Sequence, residues 1–255
     1  MARQQVECET HGPSHAAFVC AHLCRKPGQK WFCDYPSPRN PAPDAWCAAC
    51  EARFQAAGGW NAQIEAAAGI RLICQGCYQN LLGQSVRATE KPTRRAWNAF
   101  VKRCHAELHE RQAALSHRLS AFERYDYDQA SKRMVFSNGG QPGLLADIEI
   151  VGTLSHGSRT WMWSWANFSL LPKVRTRMKR VRTLGEEHGF PRLTTFIWPA
   201  DAHDAWDMAA VAAHVLNADG VFRTVGEAAD LFLTLSRVRV PRVRSPHGGA
   251  RSVRR

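Results

Sequence analysis

The sequence lacks the motifs that mark the common enzyme classes. It has no Gly-x-Ser-x-Gly nucleophile elbow, no glycine-rich phosphate loop and no dinucleotide-binding fingerprint. The His-Glu-x-x-His helix of the metalloproteases and the Cys/His/Glu signature of the zinc deaminases are also missing. These absences favour a protein without catalytic activity.

Long apolar segments are missing as well. No run approaches the roughly 18 apolar residues of a membrane helix, and no apolar stretch follows the start Met-Ala-Arg-Gln-Gln. We therefore expect a soluble cytoplasmic protein with no signal peptide and no membrane contact.

Acidic residues are absent from two segments that hold the surplus positive charge. The net charge of the 255 residues is +12. The segment 173–182 carries six Lys or Arg residues and the segment 237–255 carries seven arginines, so the remainder sums to about −1. The chain is a nearly neutral body with one basic helix and one basic tail, and it lacks the general basic surface of many nucleic-acid-binding proteins.

Cysteine is plentiful and unevenly placed. Eight of the nine cysteines lie within the first 77 residues. An odd count, the expected cytoplasmic location and Cys-x-x-Cys or Cys-x-x-His spacings favour metal ligands over disulfides.

Two Cys-x-x-Cys steps give the strongest chemical signal. Cys47 and Cys50 form the first step, and Cys74 and Cys77 form the second. Two such steps commonly hold one tetrahedral Zn²⁺, because the two-residue gap lets both sulfurs face the same ion. The alternative is a set of four buried or free thiols.

Two further ligand pairs predict a second zinc ion. Cys8 and His11 form one pair, Cys20 and His22 the other, and Cys24 or Cys33 could replace His22. The first two pairs share an ion in one arrangement, and the pairs interleave along the chain in the other, as in cross-braced modules. Full sets of four ligands indicate structural rather than catalytic zinc.

The patterning predicts an α+β fold, because from residue 124 onward the alternation of apolar residues indicates a mostly antiparallel sheet that two helices can cover. We assign a zinc-binding module to residues 1–90, a connecting amphipathic helix to 91–123, a mostly antiparallel sheet with two helices to 124–240, and a disordered basic tail to 241–255. The connecting helix should act as a spacer packed on one or both domains, with a coiled-coil dimer as the alternative.

Three tryptophans, Trp161, Trp163 and Trp165, fall on one face of a predicted strand. They either fill the core, which we favour, or line a binding groove. Further strands are predicted at 193–198, 221–225 and 231–240. Helices are predicted at 172–188 and 203–217.

The segment Thr160–Asn167 resembles the Trp-x-Trp-x-Trp-Ala-Asn signature of an uncharacterised bacterial domain family. The later segments Leu184–Gly189 and Leu216–Gly220 support that resemblance. The Cys/His-rich start is similar to N-terminal modules of bacterial proteins of unknown function. The resemblance implies an uncharacterised domain behind a zinc-binding module, and it carries no catalytic residue with it.

These observations favour a non-enzymatic interaction or regulatory protein, such as an adaptor or immunity-type protein, with an unidentified protein partner. A second hypothesis is nucleic-acid binding through the zinc module, the tail and the basic helix, whose candidate contacts are Lys173, Arg175, Arg177, Lys179 and Arg180. A third is an enzyme of unrecognised type with a site beside Trp161–Trp165.

The favoured hypothesis predicts no appreciable binding to duplex or single-stranded oligonucleotides near physiological salt. Binding through the basic segments would use phosphates, and the logarithm of the affinity would fall with that of the salt concentration by about 0.9 per phosphate neutralised on duplex DNA. Removing residues 241–255 would then flatten the slope without unfolding the body. Titrations at several salt concentrations check this, and binding that survives high salt would contradict both hypotheses.

Overall fold

The computed structural model describes residues 5–34, 40 and 42–241, and the predicted tail lies almost wholly outside them. The N-terminal part comprises β1 (Gln5–Val6), β2 (Ser14–Val19), α1 (Ala21–Arg25), β3 (Trp31–Cys33), β4 (Ala45–Cys47), α2 (Ala48–Ala57), α3 (Ala62–Ala68), β5 (Arg71–Cys74) and α4 (Gln75–Glu90).

The remainder begins with a long helix and continues mainly as strands. It comprises α5 (Arg94–Leu119), β6 (Arg124–Asp128), β7 (Arg133–Asn138), β8 (Gln141–Ser155), β9 (Thr160–Trp163), α6 (Pro172–His188), α7 (Pro191–Thr194), β10 (Ile197–Pro199), α8 (Ala202–Leu216), β11 (Gly220–Thr224) and β12 (Ala229–Arg239). No helix in the described part of the chain is long and apolar enough to span a membrane.

β2 is the organising strand of the N-terminal sheet. β1 and β5 pair with it antiparallel, whereas β4 pairs with it in parallel and leads on to β3. The register places Cys74 opposite Ala16 near the start of β2, and Ala45 opposite Val19 at its end. The sheet therefore brings different cysteines to the two ends of one strand.

The C-terminal sheet is antiparallel at every described pairing. Its strand order is β10-β9-β8-β12-β11, and β7 also pairs with β8 and carries β6. The turn between β7 and β8 contains Gly139 and Gly140 with φ of 53° and 79°, values that favour glycine. The predicted α+β class is confirmed.

α6 and α8 cover this sheet. α6 begins at Pro172 and ends at His188, as predicted, and Gly189 caps it with a φ of 64°. α8 begins with a reciprocal hydrogen-bonded cap between Asp201 and Asp204. Its alanine-rich sequence is buried along most of its length, which allows close packing on β8 and β12.

α5, predicted as a connector, packs within the C-terminal body. It lies against α8 and β11, and a methyl group built on Gly220 would stand 2.3 Å from a methyl carbon of Leu115. The apolar side chains Trp97, Phe100 and Val101 are buried within the chain itself. The coiled-coil alternative is therefore not needed to explain this apolar face.

α4 joins the N-terminal part to the C-terminal body. It packs on β10, where a Cβ on Gly83 would lie 2.8 Å from Pro199. At its end, Arg192 Nε lies 2.6 Å from Oε1 of the buried Glu90, and the same guanidinium contacts Asp204. Buried side chains from before and after residue 90 belong to one continuous hydrophobic cluster, so the N-terminal part and the C-terminal body share a core.

Two predicted strands are shorter than expected. The tryptophan strand ends at Trp163, because Ser164–Ala166 turns into a short 3-10 helix that carries Trp165 away from the strand. The predicted strand 193–198 reduces to β10, since Pro191 starts a helical turn through Thr194. Trp161, Trp163 and Trp165 are nevertheless all buried, at 0%, 0% and 4% exposure.

Trp163→Ala should lower the free energy of unfolding by about 3–5 kcal/mol, because it leaves a large cavity. It also leaves the Arg192 carbonyl without the 2.8 Å hydrogen bond that Trp163 Nε1 donates. Thermal and denaturant unfolding measure the loss. Tyr127→Ala is the control, since this side chain is 42% exposed and its loss should cost little. A Trp163→Ala protein as stable as the control would contradict the packing.

Candidate metal centres

Four donors meet beyond the start of β2. They are Cys8, His11, Cys74 and Cys77, whose ligand atoms all lie within 4.8 Å of one another. The first two belong to the turn between β1 and β2, which mutual backbone hydrogen bonds between Cys8 and Gly12 close at 2.7 and 3.2 Å. The last two belong to the junction of β5 and α4. We call this group the first cluster.

Four other donors meet beyond the end of β2. They are Cys20, His22, Cys47 and Cys50, again within 4.8 Å of one another. The chain leaves β2 directly into α1, and its parallel neighbour β4 leads directly into α2. A hydrogen bond of 2.9 Å from Cys20 N to Ala45 O holds the two exits together. We call this group the second cluster.

The pairing of the ligand steps differs from both predicted arrangements. Cys47 and Cys50 do not share a cluster with Cys74 and Cys77, and the steps do not alternate as in a cross-braced module. The outermost steps meet each other and the inner two meet each other, so the arrangement is nested. The cause is strand direction: antiparallel β5 delivers its cysteines to the start of β2, and parallel β4 delivers its own to the end.

Distances in the clusters match a four-coordinate metal site. His11 Nδ1 lies 3.6, 3.3 and 3.7 Å from the sulfurs of Cys8, Cys74 and Cys77, and the first and last sulfurs are 3.9 Å apart. In the second cluster, His22 Nδ1 lies 3.4 Å from Cys50 Sγ. Metal bonds of about 2.3 Å to sulfur and about 2.0 Å to nitrogen in a tetrahedron separate donors by roughly 3.5–3.8 Å.

Three of the cysteines occupy helix N-caps. Cys20 precedes α1, Cys47 precedes α2 and Cys74 precedes α4, where its sulfur accepts a 3.3 Å hydrogen bond from Cys77 N. Unpaired backbone N–H groups at a helix start stabilise a thiolate. The Cys-x-x-Cys steps therefore start helices and supply ligands at the same time.

The surroundings of the clustered thiols shift their pKa values in opposite directions. Hydrogen bonds from the backbone of Thr10, followed by the His11 side chain, lower the pKa of Cys8 to about 6. Burial, followed by the neighbouring Cys20 and Cys47 thiolates, raises the pKa of Cys50 to about 12. Burial and Cys74 do the same to Cys77. A divalent cation among these sulfurs would offset the cost of burial and the repulsion between thiolates, and so would favour the deprotonated form of all of them.

Two residues around His11 complete the first cluster, and the sequence prediction missed both. The His11 Nε2 atom lies 3.5 Å from the Asn80 amide, one turn further along α4. A partner on the second ring nitrogen fixes the orientation of a ligating imidazole. The ring also packs over Gly76, where a Cβ would lie 2.6 Å from His11 Cγ. The position of Gly76 inside a Cys-x-x-Cys step was the only available signal.

The remaining cysteines stand outside the two clusters. Cys24 is exposed, whereas burial raises the pKa of Cys33 and of Cys104 to about 12 in each case. His22 is itself a member of the second cluster, so neither Cys24 nor Cys33 is required as its substitute. Each cluster has three sulfurs and one imidazole nitrogen, a donor set that suits a borderline-soft metal ion.

The other candidate binding residues are placed differently. The three tryptophans are buried, so they contribute to the core rather than to a groove. Several cations of α6 have internal contacts. Arg177 lies 3.2 Å from Glu149, Arg175 stacks 4.4 Å from the Phe168 ring, and Lys173 donates to the Ala130 carbonyl.

Glu149 on β8 belongs to a network of ion pairs with neighbouring cations. Lys132 Nζ reaches it at 2.8 Å, and two residues earlier Asp147 pairs with Arg239 at 3.0 Å. Lys179 and Arg180 lie on the exposed face of α6.

Residues 98–238 match the family described as a family of unknown function, DUF6882. The chain belongs to this family. The match runs from the first turns of α5 to the end of β12, so the DUF6882 region is the C-terminal body and both clusters precede it. It agrees with the expected membership of an uncharacterised family. No curated protein and no solved structure matches the chain.

Gly76→Ala should reduce the metal content by about one ion per chain, because the added methyl group displaces the His11 ring. Alanine stabilises a helix by roughly 1 kcal/mol relative to glycine. A lower metal content in this variant could therefore not be ascribed to a weaker helix α4. Elemental analysis of the purified protein measures it.

The matched control is Ala49→Gly, at the equivalent position of the second cluster's Cys-x-x-Cys step. This change removes a methyl group and should leave the metal content unchanged. Full metal content in Gly76→Ala with undiminished resistance to a chelator would contradict the placement of His11.

Proposed function

We propose that this chain is a non-enzymatic interaction or regulatory protein of the adaptor or immunity type, and that two structural zinc ions hold its N-terminal module. The observation that carries the proposal is the pair of complete clusters. Each supplies three thiols and one imidazole, and each gathers ligands from segments that are distant in sequence.

Zinc is the ion that best suits these donors. Cys₃His sets are typical of structural Zn²⁺, whereas Mg²⁺ and Ca²⁺ require oxygen ligands. Histidine coordination through Nδ1 in both clusters is supported by the short distances from that atom to sulfur. With four protein donors, a tetrahedral ion has no open position for water or substrate, which supports a structural role.

The metal also supports the junction with the DUF6882 region. α4 starts at the Cys74 and Cys77 step of the first cluster and ends at Glu90, which pairs with Arg192 of the C-terminal body. An ion at the first cluster would therefore hold the helix that connects the two parts. This arrangement suits a module that presents a surface, because the module cannot turn freely against the body.

The two rival functions have weaker support. The three tryptophans that would frame an enzyme site are packed in the core. The cations of α6 that would contact nucleic acid include Arg177 and Lys173, which already have protein partners. Phosphate contacts through these residues would first have to break the internal pairs.

We predict two zinc ions per chain in purified protein, and we predict which ligand substitutions act together. Cys74→Ser and Cys77→Ser should each remove the same ion, so the double variant should lose no more zinc than either single variant. Cys74→Ser combined with Cys47→Ser should lose both ions, because these residues belong to different clusters. Elemental analysis and protease resistance of residues 5–90 measure the outcome.

Replacement of zinc by Co²⁺ separates a structural from a catalytic role. Closed Cys₃His sites should give the visible spectrum of tetrahedral cobalt thiolate, and added azide or cyanide should leave the spectrum unchanged. A spectral shift after the addition of one equivalent of anion would reveal an open coordination position on the metal and would refute the structural role. A metal-free protein with an intact N-terminal module would refute the zinc proposal altogether.

A further inference from the structure

An apolar patch is exposed on the strands that connect the two clusters. Phe18 of β2 and Leu72 of β5 are directly paired, with 38% and 44% of their surface exposed, and Ile70 just before β5 is 45% exposed. Phe18 points outward because its neighbours Ala17 and Val19 point into the core. Grouped exposed apolar side chains on a folded protein are typical of interaction sites.

A cavity of about 550 Å³ opens beside this patch. Its apolar lining consists of Phe18, Ala45 and Ile70 together with Trp46 and Trp60, and we call these two tryptophans the aromatic wall. This volume is within the range of pockets that hold a small ligand or an inserted side chain.

Every charged residue that the structure describes in the lining of this cavity is acidic. Its other lining residues are Asp34, Asp44 and Glu65, and no lysine, arginine or histidine is among the described residues that line it. The chain as a whole carries a net charge of +12, so the charge of these lining residues is opposite in sign to that of the whole chain. Burial, followed by the nearby Asp34 carboxylate, raises the pKa of Asp44, which means that a cation placed there would relieve an existing cost.

The aromatic wall is held rigidly by its surroundings. Trp46 Nε1 donates a 2.6 Å hydrogen bond to Glu51, and its ring meets the Trp60 ring edge-on at a centroid distance of 5.3 Å. Trp46 is followed directly by Cys47, a member of the second cluster. A metal ion in that cluster would therefore fix the wall and prepare the cavity for a partner.

We propose that the surface formed by Phe18, Ile70, Leu72 and this cavity docks a basic segment of a protein partner. An arginine or lysine of that segment enters the cavity, where the three carboxylates neutralise it and the indole rings contact the cation. Apolar residues flanking the cation cover Phe18 and Leu72. The inference rests on the proposed interaction function and names the chemistry of the partner.

The test selects binders from a random peptide library displayed on phage, with the full-length zinc-loaded protein as bait. Selected peptides should be enriched in arginine or lysine beside apolar residues. The variant Asp34→Asn/Asp44→Asn/Glu65→Gln should bind the selected synthetic peptides with an affinity at least about tenfold lower, since each desolvated charge pair contributes strongly to binding.

The matched control is Glu110→Gln/Asp126→Asn/Glu187→Gln, which removes three exposed acids elsewhere and should leave binding unchanged. Phe18→Ser should also lower the affinity for the peptides, but it should not change how that affinity depends on the salt concentration. Selection of acidic or uncharged peptides, or equal binding by the two triple variants, would overturn the proposal.

Two other occupants would also overturn it. One is the arginine-rich segment 242–255 of the chain itself. Two results would identify it: a synthetic peptide of that segment would bind the cavity, and a chain ending at Pro241 would bind the selected peptides about tenfold more tightly than the full chain. The other is a second copy of the chain, identified by a dimer that the cavity triple variant abolishes. Zinc content is measured in every variant to separate the two proposals. A protein that holds two zinc ions but binds no peptide would refute the docking surface alone, whereas a protein without zinc would refute the proposed function.

Discussion

The direction of the two strands beside β2 is the constraint on which the N-terminal part depends. Main-chain hydrogen bonds set β5 antiparallel and β4 parallel to this six-residue strand. Because the cysteines follow β4 and β5 at their ends, strand direction decides which donors can meet. Each cluster then joins two segments that are far apart in sequence, and an ion held there would cross-link both ends of the sheet.

The same arrangement explains how the module is attached to the DUF6882 region. α4 grows out of the first cluster and packs along β10, and its last residue, Glu90, is buried against Arg192. Removing one partner of a buried ion pair leaves an uncompensated charge, which is far more costly than losing a surface pair. The junction therefore specifies one orientation of the module, and a surface on β2 and β5 keeps a defined position relative to the body.

Charge and aromatic content are divided between the two parts in different ways. In the C-terminal body, Trp161 and Trp163 are buried core residues, and cations such as Arg177 and Lys132 neutralise Glu149. In the N-terminal module, Trp46 and Trp60 line an open acidic cavity. The tryptophan pair that lines this cavity thus lies in the N-terminal module, although the more prominent tryptophan pattern lies in the other part.

Local chemistry in the sequence determined the elements that depend on near neighbours. The Cys-x-x-Cys, Cys-x-x-His and Cys-x-His steps identified all eight members of the two clusters, Pro172 and Gly189 marked both ends of α6, and alternation predicted the antiparallel sheet. Only the tertiary structure decided the nested pairing, since spacing carries no information on whether β4 and β5 run with or against β2. It also decided that the tryptophan strand stops at Trp163, that Gly76 makes room for His11, and that three acids from separate segments line one cavity. In each case the cause is a contact between residues distant in the chain, which local pattern and propensity do not encode.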